Sequence, residues 1–364
     1  MTRVYLRWVP AVVVTTVIAA GALAVPLQAG AAVDLPDKTP QEVLKLIGES
    51  TVDALSGTIQ QTSDLGLPDL SVGGSSAGGS SAGGTSSGDE VASALELLTG
   101  NHTARIYVDG HDKARVQVMD RMSERDLIVN GDNVWVWDSK ENTATQLAAP
   151  SHDTGDRPTS AEARTPAELA EKFLDKVDST TEVTVDDDTE VAGRAAYDLV
   201  LTPRTSGTLV GSVSIAVDSE TGLPLRVQVT AQGESEPAFR LEFTELSLEA
   251  PDAGLFEFEP PPGATVEEQE LPRHPEAKPG TGQDEMGDFP GTVSGSGWDA
   301  VVELPAGTAP AELTESPLFA QATEAVDEGQ ALSTTLLTIL ITDDGRVYAG
   351  SVPLERLQSA AADG

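Results

Sequence analysis

The sequence predicts a mainly β (α+β) protein organised around a wide antiparallel sheet. Segments that alternate apolar and polar residues follow one another along most of the chain, as strands with one buried face do. The turns between them are short and rich in Gly, Asn and Asp, which favours hairpins over βαβ crossovers. Only two segments ahead of Pro260 open as convincing helices.

Residues 1–32 read as a targeting segment. Arg3 and Arg7 make a basic start, residues 9–25 are almost wholly apolar, and Ala29-Gly30-Ala31 offers an A-x-A cleavage pattern. An uncleaved membrane anchor is the alternative, since the run approaches the roughly 20 residues that span a bilayer. Pro10, Gly21 and Pro26 interrupt it, which favours export with cleavage. The chain has no cysteine, so acylation on an N-terminal cysteine, disulfides and thiol chemistry are all excluded. An exported protein without disulfides depends on an ordinary hydrophobic core.

The first helix is announced by Thr39-Pro40-Gln41-Glu42, a capping box with proline at the first helical position. Val43, Leu46, Ile47, Ser50 and Ala54 follow at helical spacing. Thr165-Pro166-Ala167-Glu168 repeats the device ahead of an apolar stripe of Ala170, Phe173, Leu174 and Val177. Both helices are amphipathic and need a sheet or another helix to cover.

Strands are expected at 56–62, 102–108 and 113–119, where Val116 and Val118 share a side. The Gly/Ser tract at 73–88, built of near-repeats of Gly-Gly-Ser-Ser-Ala, cannot bury apolar area and is expected as a disordered insertion within the domain. Residues 126–129 and 134–137 form a hairpin through Asn130-Gly131-Asp132-Asn133 and turn again through 138–142 into a third run. Trp135 and Trp137, two apart on one strand, point to the same face. Strands at 182–185, 195–201, 209–217, 225–231 and 239–248 complete the sheet, turning at Ala192-Gly193 and at Asp218-Ser219-Glu220-Thr221-Gly222. A linker rich in Pro, Gly and charge at 267–297 leads to a small C-terminal αβ unit at 298–364. That unit carries a strand at 298–304, a helix opened by Ser316-Pro317, and strands at 333–342 and 346–352 joined at Asp343-Asp344-Gly345. A last short helix starts at Pro353, with Leu354 and Leu357 facing inward.

Composition narrows the function. Asp and Glu number 59 against 22 Lys and Arg, for a net charge of −37. Nucleic-acid binding needs a basic footprint that this chain lacks, and an anionic lipid surface would repel it. The acidity itself reads as solubility outside the cell. His102, His111, His152 and His274 are scattered without metal-ligand spacing, and no H-E-x-x-H, G-x-S-x-G or Walker pattern occurs. Asp186-Asp187-Asp188 with Glu190 lacks the alternating spacing of a calcium loop and reads as a solvated turn. No pair of carboxylates stands out for glycosidase chemistry. The expectation is a non-enzymatic protein with no catalytic residue, no metal and no cofactor.

What remains is the alternation. Tyr197, Leu199 and Leu201 share a face of their strand, as do Val213, Ile215 and Val217. Leu225, Val227 and Val229 repeat the pattern, followed by Phe239, Leu241 and Phe243. Two helices over a strongly curved sheet of this width can leave an apolar cleft, and a dry, fully packed core is the competing arrangement. If a cleft forms, Trp135, Trp137 and these residues from Leu199 to Phe243 are its candidate ligand-binding lining.

Three segments in order resemble the LolA family of lipoprotein carriers. Leu127-Ile128-Val129-Asn130-Gly131, then Val134-Trp135-Val136-Trp137-Asp138 and Gln146, is similar to the family's strand, turn and aromatic strand. Ser56-Gly57-Thr58-Ile59-Gln60-Gln61-Thr62 resembles its first strand. Residues 255–266, with Phe256, Phe258 and Pro260-Pro261-Pro262-Gly263, resemble its ending. The turn at 218–225 is similar to that of the related RseB/MucB proteins. The resemblance spans 39–266 and defines a LolA-like domain over 33–266. It implies an incomplete, strongly curved antiparallel β-barrel with helices covering the concave face. It also implies binding of a lipid or of lipoprotein acyl chains. The alternative it offers is an RseB-like sensor that restrains a membrane-anchored regulator of an envelope-stress sigma factor. Arg115 lies near the family's arginine-bearing strand, where an arginine can help close the lid. The Gly/Ser insertion, the strong acidity and the unit after residue 290 depart from the plain carrier.

Overall fold

The computed structural model describes residues 34–66, 101–119, 123–148, 165–174, 177, 179–270, 291–309, 319 and 322–363. The targeting segment, the Gly/Ser tract, the predicted helix at Ser316-Pro317 and most of the 267–297 linker lie outside the described residues.

Two meanders make the principal sheet. The first comprises β1 (Ala54–Ser63), β2 (His102–Asp109), β3 (Lys113–Met119), β4 (Glu124–Asn130), β5 (Asn133–Asp138) and β6 (Thr143–Ala148). The second comprises β7 (Thr181–Val191), β8 (Arg194–Pro203), β9 (Val210–Asp218), β10 (Pro224–Ala231) and β11 (Pro237–Ser247). Antiparallel pairing of β11 with β1 fuses them. A final strand, β12 (Thr265–Glu270), adds in parallel to β6. The result is a twelve-stranded sheet in the order β12-β6-β5-β4-β3-β2-β1-β11-β10-β9-β8-β7, which does not close because β7 and β12 do not pair.

A second, six-stranded sheet is ordered β13-β14-β18-β17-β16-β15. Its strands are β13 (Thr292–Ser294), β14 (Val301–Leu304), β15 (Glu324–Val326), β16 (Gly329–Ser333), β17 (Thr338–Thr342) and β18 (Val347–Gly350). Val301, Leu340, Tyr348, Val352 and Leu357 form its core.

Helix α1 (Pro40–Gly48) packs on β7 and β8, and helix α2 (Pro166–Leu174) on β10 and β11. Each begins with the predicted box. Glu42 N–H donates to Thr39 Oγ1 at 3.4 Å while Thr39 N–H donates to Glu42 Oε2 at 2.8 Å. The Thr165–Glu168 pair repeats both bonds at 3.1 and 3.0 Å. These bonds satisfy N–H groups that the first helical turn leaves without partners. Helix α3 (Leu354–Asp363) packs on β17 and β18.

The first helix ends at Gly48, so Ser50 and Ala54 lie beyond it and Ala54 opens β1 instead, and strands β13, β15 and β16 were not expected. Four further differences have a local reason. The strand predicted at 298–304 starts at Val301, because 297–299 form a 3₁₀ turn that aims the Trp298 indole N–H at Thr181 Oγ1, 2.9 Å away. The strand predicted at 333–342 is confined to 338–342, because β16 ends at Ser333 and 334–337 turn between them. Thr334 Oγ1 accepts from the N–H of Leu336 and Leu337 and breaks the ladder. Asp186–Asp188 are not a solvated turn. They lie within β7 at an irregularity of its pairing with β8, and Asp188 Oδ2 accepts from Leu35 N–H at 2.7 Å. Strand β12 was not expected, since Thr-Val-Glu-Glu-Gln-Glu has a single apolar residue and no alternation to show.

The two sheets meet at the end of β9. Leu209 N–H and Thr208 Oγ1 both donate to Ser351 O, at 2.7 and 2.8 Å. Trp298 and Leu336 pack against the core of the principal sheet.

The turn between β9 and β10 seats α1. Asp218, 1% exposed, accepts from the N–H groups of Glu220 and Thr221 at 3.2 and 2.8 Å and from Thr221 Oγ1 at 2.8 Å. Arg194 grips the same carboxylate. Gly222 has φ +75, and a Cβ there would lie 2.1 Å from Leu46 O, so only glycine lets the helix carbonyl approach. Burial pushes the Asp218 carboxyl up, but the hydrogen bonds from Arg194 and Thr221 outweigh it and hold it below the ordinary value of 3.8. A depressed folded value means stability that is complete above 3.8 and is lost as pH falls through the folded value. Asp218→Asn is therefore expected to lower the unfolding free energy at neutral pH by about 2 kcal/mol. Urea titrations from pH 7 down to pH 3 should show the gap between variant and wild type closing on acidification.

Candidate functional site

Pairing fixes which side chains share a face, because residues opposite each other in neighbouring strands point the same way. One row runs Val185–Leu199–Ile215–Val227–Leu241 across β7 to β11. The next runs Val183–Leu201–Val213–Val229–Phe239. Val43 of α1 and Ala170 of α2 pack into these rows. Leu199, Leu201, Val213, Ile215, Val217, Leu225 and Val227 are 0% exposed. Val229, Leu241 and Phe243 are buried and Phe239 is half-buried. This half of the helix-bearing face is a packed core.

The same face continues into the first meander. Phe243 pairs with Ile59, and β1 passes the pattern on through Gly57–Ile106–Val116–Leu127–Val136. The flanking row runs Leu55–Val108–Ala114–Val129–Val134–Leu147. Ile106 is buried, but Val108, Val116, Leu127, Val129, Val136 and Leu147 are only half-buried. The main contacts of α1 and α2 lie on β7, β8, β10 and β11. Val108 and Val116 pack against the core cluster of Leu55, Ile59 and Ile106 that Ala167 and Leu169 of α2 also join, whereas Leu127, Val129, Val136 and Leu147 lie outside it. This apolar surface was absent from the sequence-predicted lining, although the alternation of Val116 with Val118 and of Leu127 with Val129 carried the signal. The two indoles drew attention to the intervening positions.

Trp135 and Trp137 face the other way. Trp135 pairs with Ile128, Ile128 with Arg115, Arg115 with Tyr107 and Tyr107 with Ser56, all on the face opposite the helices. The structure therefore separates the indoles from the residues between Leu199 and Phe243. They are covered instead by the segment that leads from β11 to β12. Phe258 lies 5.5 Å from Trp135 and 6.2 Å from Trp137, ring centroid to centroid, in tilted contacts. Such pairs contribute about 0.5–1.5 kcal/mol beyond their burial.

Arg115 fastens the same segment. Its guanidinium donates to Leu255 O at 3.1 Å and pairs with Asp126, whose side chain is 1% exposed. Gln117 Nε2 donates to Glu124 Oε1 at 2.8 Å beside them. These bonds of Arg115 lie on the face away from α1 and α2, so its described geometry is that of a clasp on the crossing segment rather than on a helix. Asp126 Oδ1 is buried without a partner among the described residues. Burial pushes the Asp126 carboxyl up, and Glu124 adds to this against the pull of Arg115.

Of the histidines, His102 is half-buried at the start of β2 and His111 is exposed, while His152 and His274 lie outside the described residues. No group of His, Asp or Glu among the described residues is arranged to hold a metal. An open depression of about 490 Å³ lies where α1 ends, lined by Leu46, Val52, Asp53, Glu220 and Leu248 among others. The arrangement supplies apolar surface and fixed charge pairs. Arg115→Ala is expected to cost about 3 kcal/mol, because it leaves the Asp126 carboxylate buried without its cation. The double variant Arg115→Ala/Asp126→Asn should recover part of that loss in urea unfolding, and additive losses would dissolve the pairing.

The family model described as "Predicted periplasmic protein (DUF2092)" matches residues 81–267. No curated protein sequence matches the chain. Among solved structures, the chain is similar to one from the Pseudomonas aeruginosa MucA/MucB complex, at 15% identity and TM-score 0.42, over 88% of this chain and 96% of that one. It is also similar to a LolA superfamily protein from Nitrosomonas europaea, at 12% identity and TM-score 0.23, over 61% of this chain and 99% of that one. With the family model covering about half its length, the chain belongs to the DUF2092 family of predicted periplasmic proteins, which operate beyond the cytoplasmic membrane.

Proposed function

We propose that this exported protein is a non-enzymatic binding protein that holds a lipid, or the acyl chains of a lipid-modified polypeptide, against the helix-bearing face of β2 to β6. The observation that carries the proposal is the half-buried apolar surface of Leu127, Val129, Val136 and Leu147 around the buried Val134, bordered by Val108 and Val116 where they pack against the core. It adjoins the packed core but lies beyond the main contacts of α1 and α2. In this reading the open sheet acts as an incomplete barrel, with the helices closing one half of its concave side and the ligand the other. Capture needs no charged residue, since each acyl methylene removed from water contributes about 0.8 kcal/mol. The strongly acidic remainder of the chain favours solubility and opposes adsorption to anionic membranes.

The reading assigns different roles to the two sets of apolar residues. Val116, Leu127 and Val136 touch ligand, whereas Trp135 and Trp137 hold the crossing segment on the opposite face. Solvent extraction of the purified mature protein followed by mass spectrometry is expected to recover acyl lipid. Leu127→Asp/Val136→Asp should lose that lipid while keeping its β-sheet circular dichroism, and Trp135→Ala should keep it. Wild-type protein free of lipid after expression in a lipid-replete envelope, together with no uptake from vesicles, would sink the proposal. It would leave the alternative of a regulatory module acting through protein contacts, for which the docked six-stranded sheet supplies a second surface.

A further inference from the structure

The two free edges of the twelve-stranded sheet are guarded differently. Strand β7 is interrupted between Asp186 and Thr189, and the segment entering α1 is bonded to it through Leu35 N–H and Asp188. Bulges and covering segments are the usual protection of an edge. Among the described residues strand β12 has neither. Its six residues pair with β6 in unbroken register, and among the described residues no strand lies on its outer side. Val266 is the most exposed large apolar residue of the described chain, at 53%.

The outward-facing backbone can be identified. Thr265 N–H donates to Asn142 O at 2.9 Å, so Thr265 turns its peptide groups toward β6. In a parallel ladder alternate residues face the neighbour, which leaves the N–H and C=O of Val266 and Glu268 aimed at the open side. Among the described residues the protection of this edge is negative charge alone. Glu267 and Glu268 are exposed and have no cationic partner among the described residues, as is also true of Glu257 and Glu259 on the crossing segment. Negative charge blocks self-pairing, because two copies of β12 would set carboxylate against carboxylate. It does not block a strand of opposite charge. On a chain of net charge −37, such a strand is also steered toward the surface.

We propose that β12 is a β-augmentation site for an extended, Lys/Arg-rich segment of a second polypeptide. The segment adds as a further strand, with main-chain bonds to Val266 and Glu268, an apolar side chain against Val266 and cationic ones against Glu267 and Glu268. This surface lies at the sheet edge, and the inference does not depend on the lipid reading.

The test uses the mature protein and a synthetic peptide of Val-Lys-Lys repeats, which sets valine against Val266 and lysine against Glu267 and Glu268, with a Val-Glu-Glu peptide as its control. Anisotropy titrations are expected to show binding of the lysine peptide only. Glu267→Gln/Glu268→Gln should weaken it by about tenfold at low salt. Amide exchange should slow at Val266 and Glu268 on binding. Val266→Pro removes one outward N–H while sparing the bonds to β6, and should abolish both effects. Should that variant lose its fold, the Glu267→Gln/Glu268→Gln titration and the exchange pattern decide alone. Equal affinity for both peptides, protection spread away from β12, or a dimer of the protein that Val266→Pro dissociates would each overturn the proposal.

Discussion

The structure depends on the close approach of β1 to β11, where two separate meanders become one sheet. Gly57 sits at that seam. A Cβ on it would lie 2.6 Å from Glu245 O and 2.9 Å from the Phe243 ring. Phe243 occupies the space that a side chain at 57 would fill, and it is 2% exposed there. Beside it the register shifts between Thr58 and Ile59, so that β11 carries one more residue than β1. A bulge of this kind adds local twist and re-aims the side chains that follow. Because pairing preserves facing from strand to strand, this one junction sets which side of β2 to β6 joins the helix-packed core.

From that junction the two faces acquire different chemistry. The helix-bearing face is apolar on both halves of the sheet. The opposite face carries Asp198, Ser214, Arg226 and Glu242 on the second meander, with Arg226 and Asp198 paired at 3.7 Å and each 15% exposed. On the first meander it carries Arg115, Asp126 and the indoles. Taking Asp126 out of water opposes stability, and its pair with Arg115 offsets that cost only because the geometry is close. The clasp positions Leu255 and Phe258, and thereby the point at which β12 reaches β6. Asn142 locks the arrival, with φ 52 and its side-chain amide donating to Gly263 O at 2.8 Å.

Much of this was legible in the sequence, because it is local. Thr39 with Glu42, and Thr165 with Glu168, state a helix start within four residues, and the turns at Asn130–Asn133 and Asp218–Gly222 state their hairpins likewise. Periodicity also showed correctly that Trp135 shares a face with Trp137, and Leu199 with Leu201. It could not relate one pair to the other. The chain from Trp137 to Leu199 passes through a helix and an edge strand, and the path between them in space crosses β1 and β11. One residue of offset along such a path exchanges the faces. The indoles were therefore assigned to the wrong company. Strand β12 was illegible for a different reason, since it gains its place from β6 and from the clasp rather than from any apolar pattern of its own.

The contrast between the two halves of the helix-bearing face decides where a guest can be accommodated. A ligand entering between α1, α2 and β7 to β10 would have to part side chains such as Leu199, Leu201, Ile215 and Val227, all at 0% exposure. Re-exposing each would cost about 1.5–3 kcal/mol before any contact with the guest was made. It would also pull α1 from the turn in which Gly222 receives Leu46 O. Over β2 to β6, Val108, Val116, Leu127, Val129, Val136 and Leu147 are only half-buried around the buried Ile106 and Val134, so covering them would complete a burial that folding left unfinished. Adaptation there disturbs neither the capped helices nor the seam at Gly57. Under the proposed function, an apolar guest would be excluded from the half of the sheet with the stronger sequence signal and would be held by the half with the weaker one.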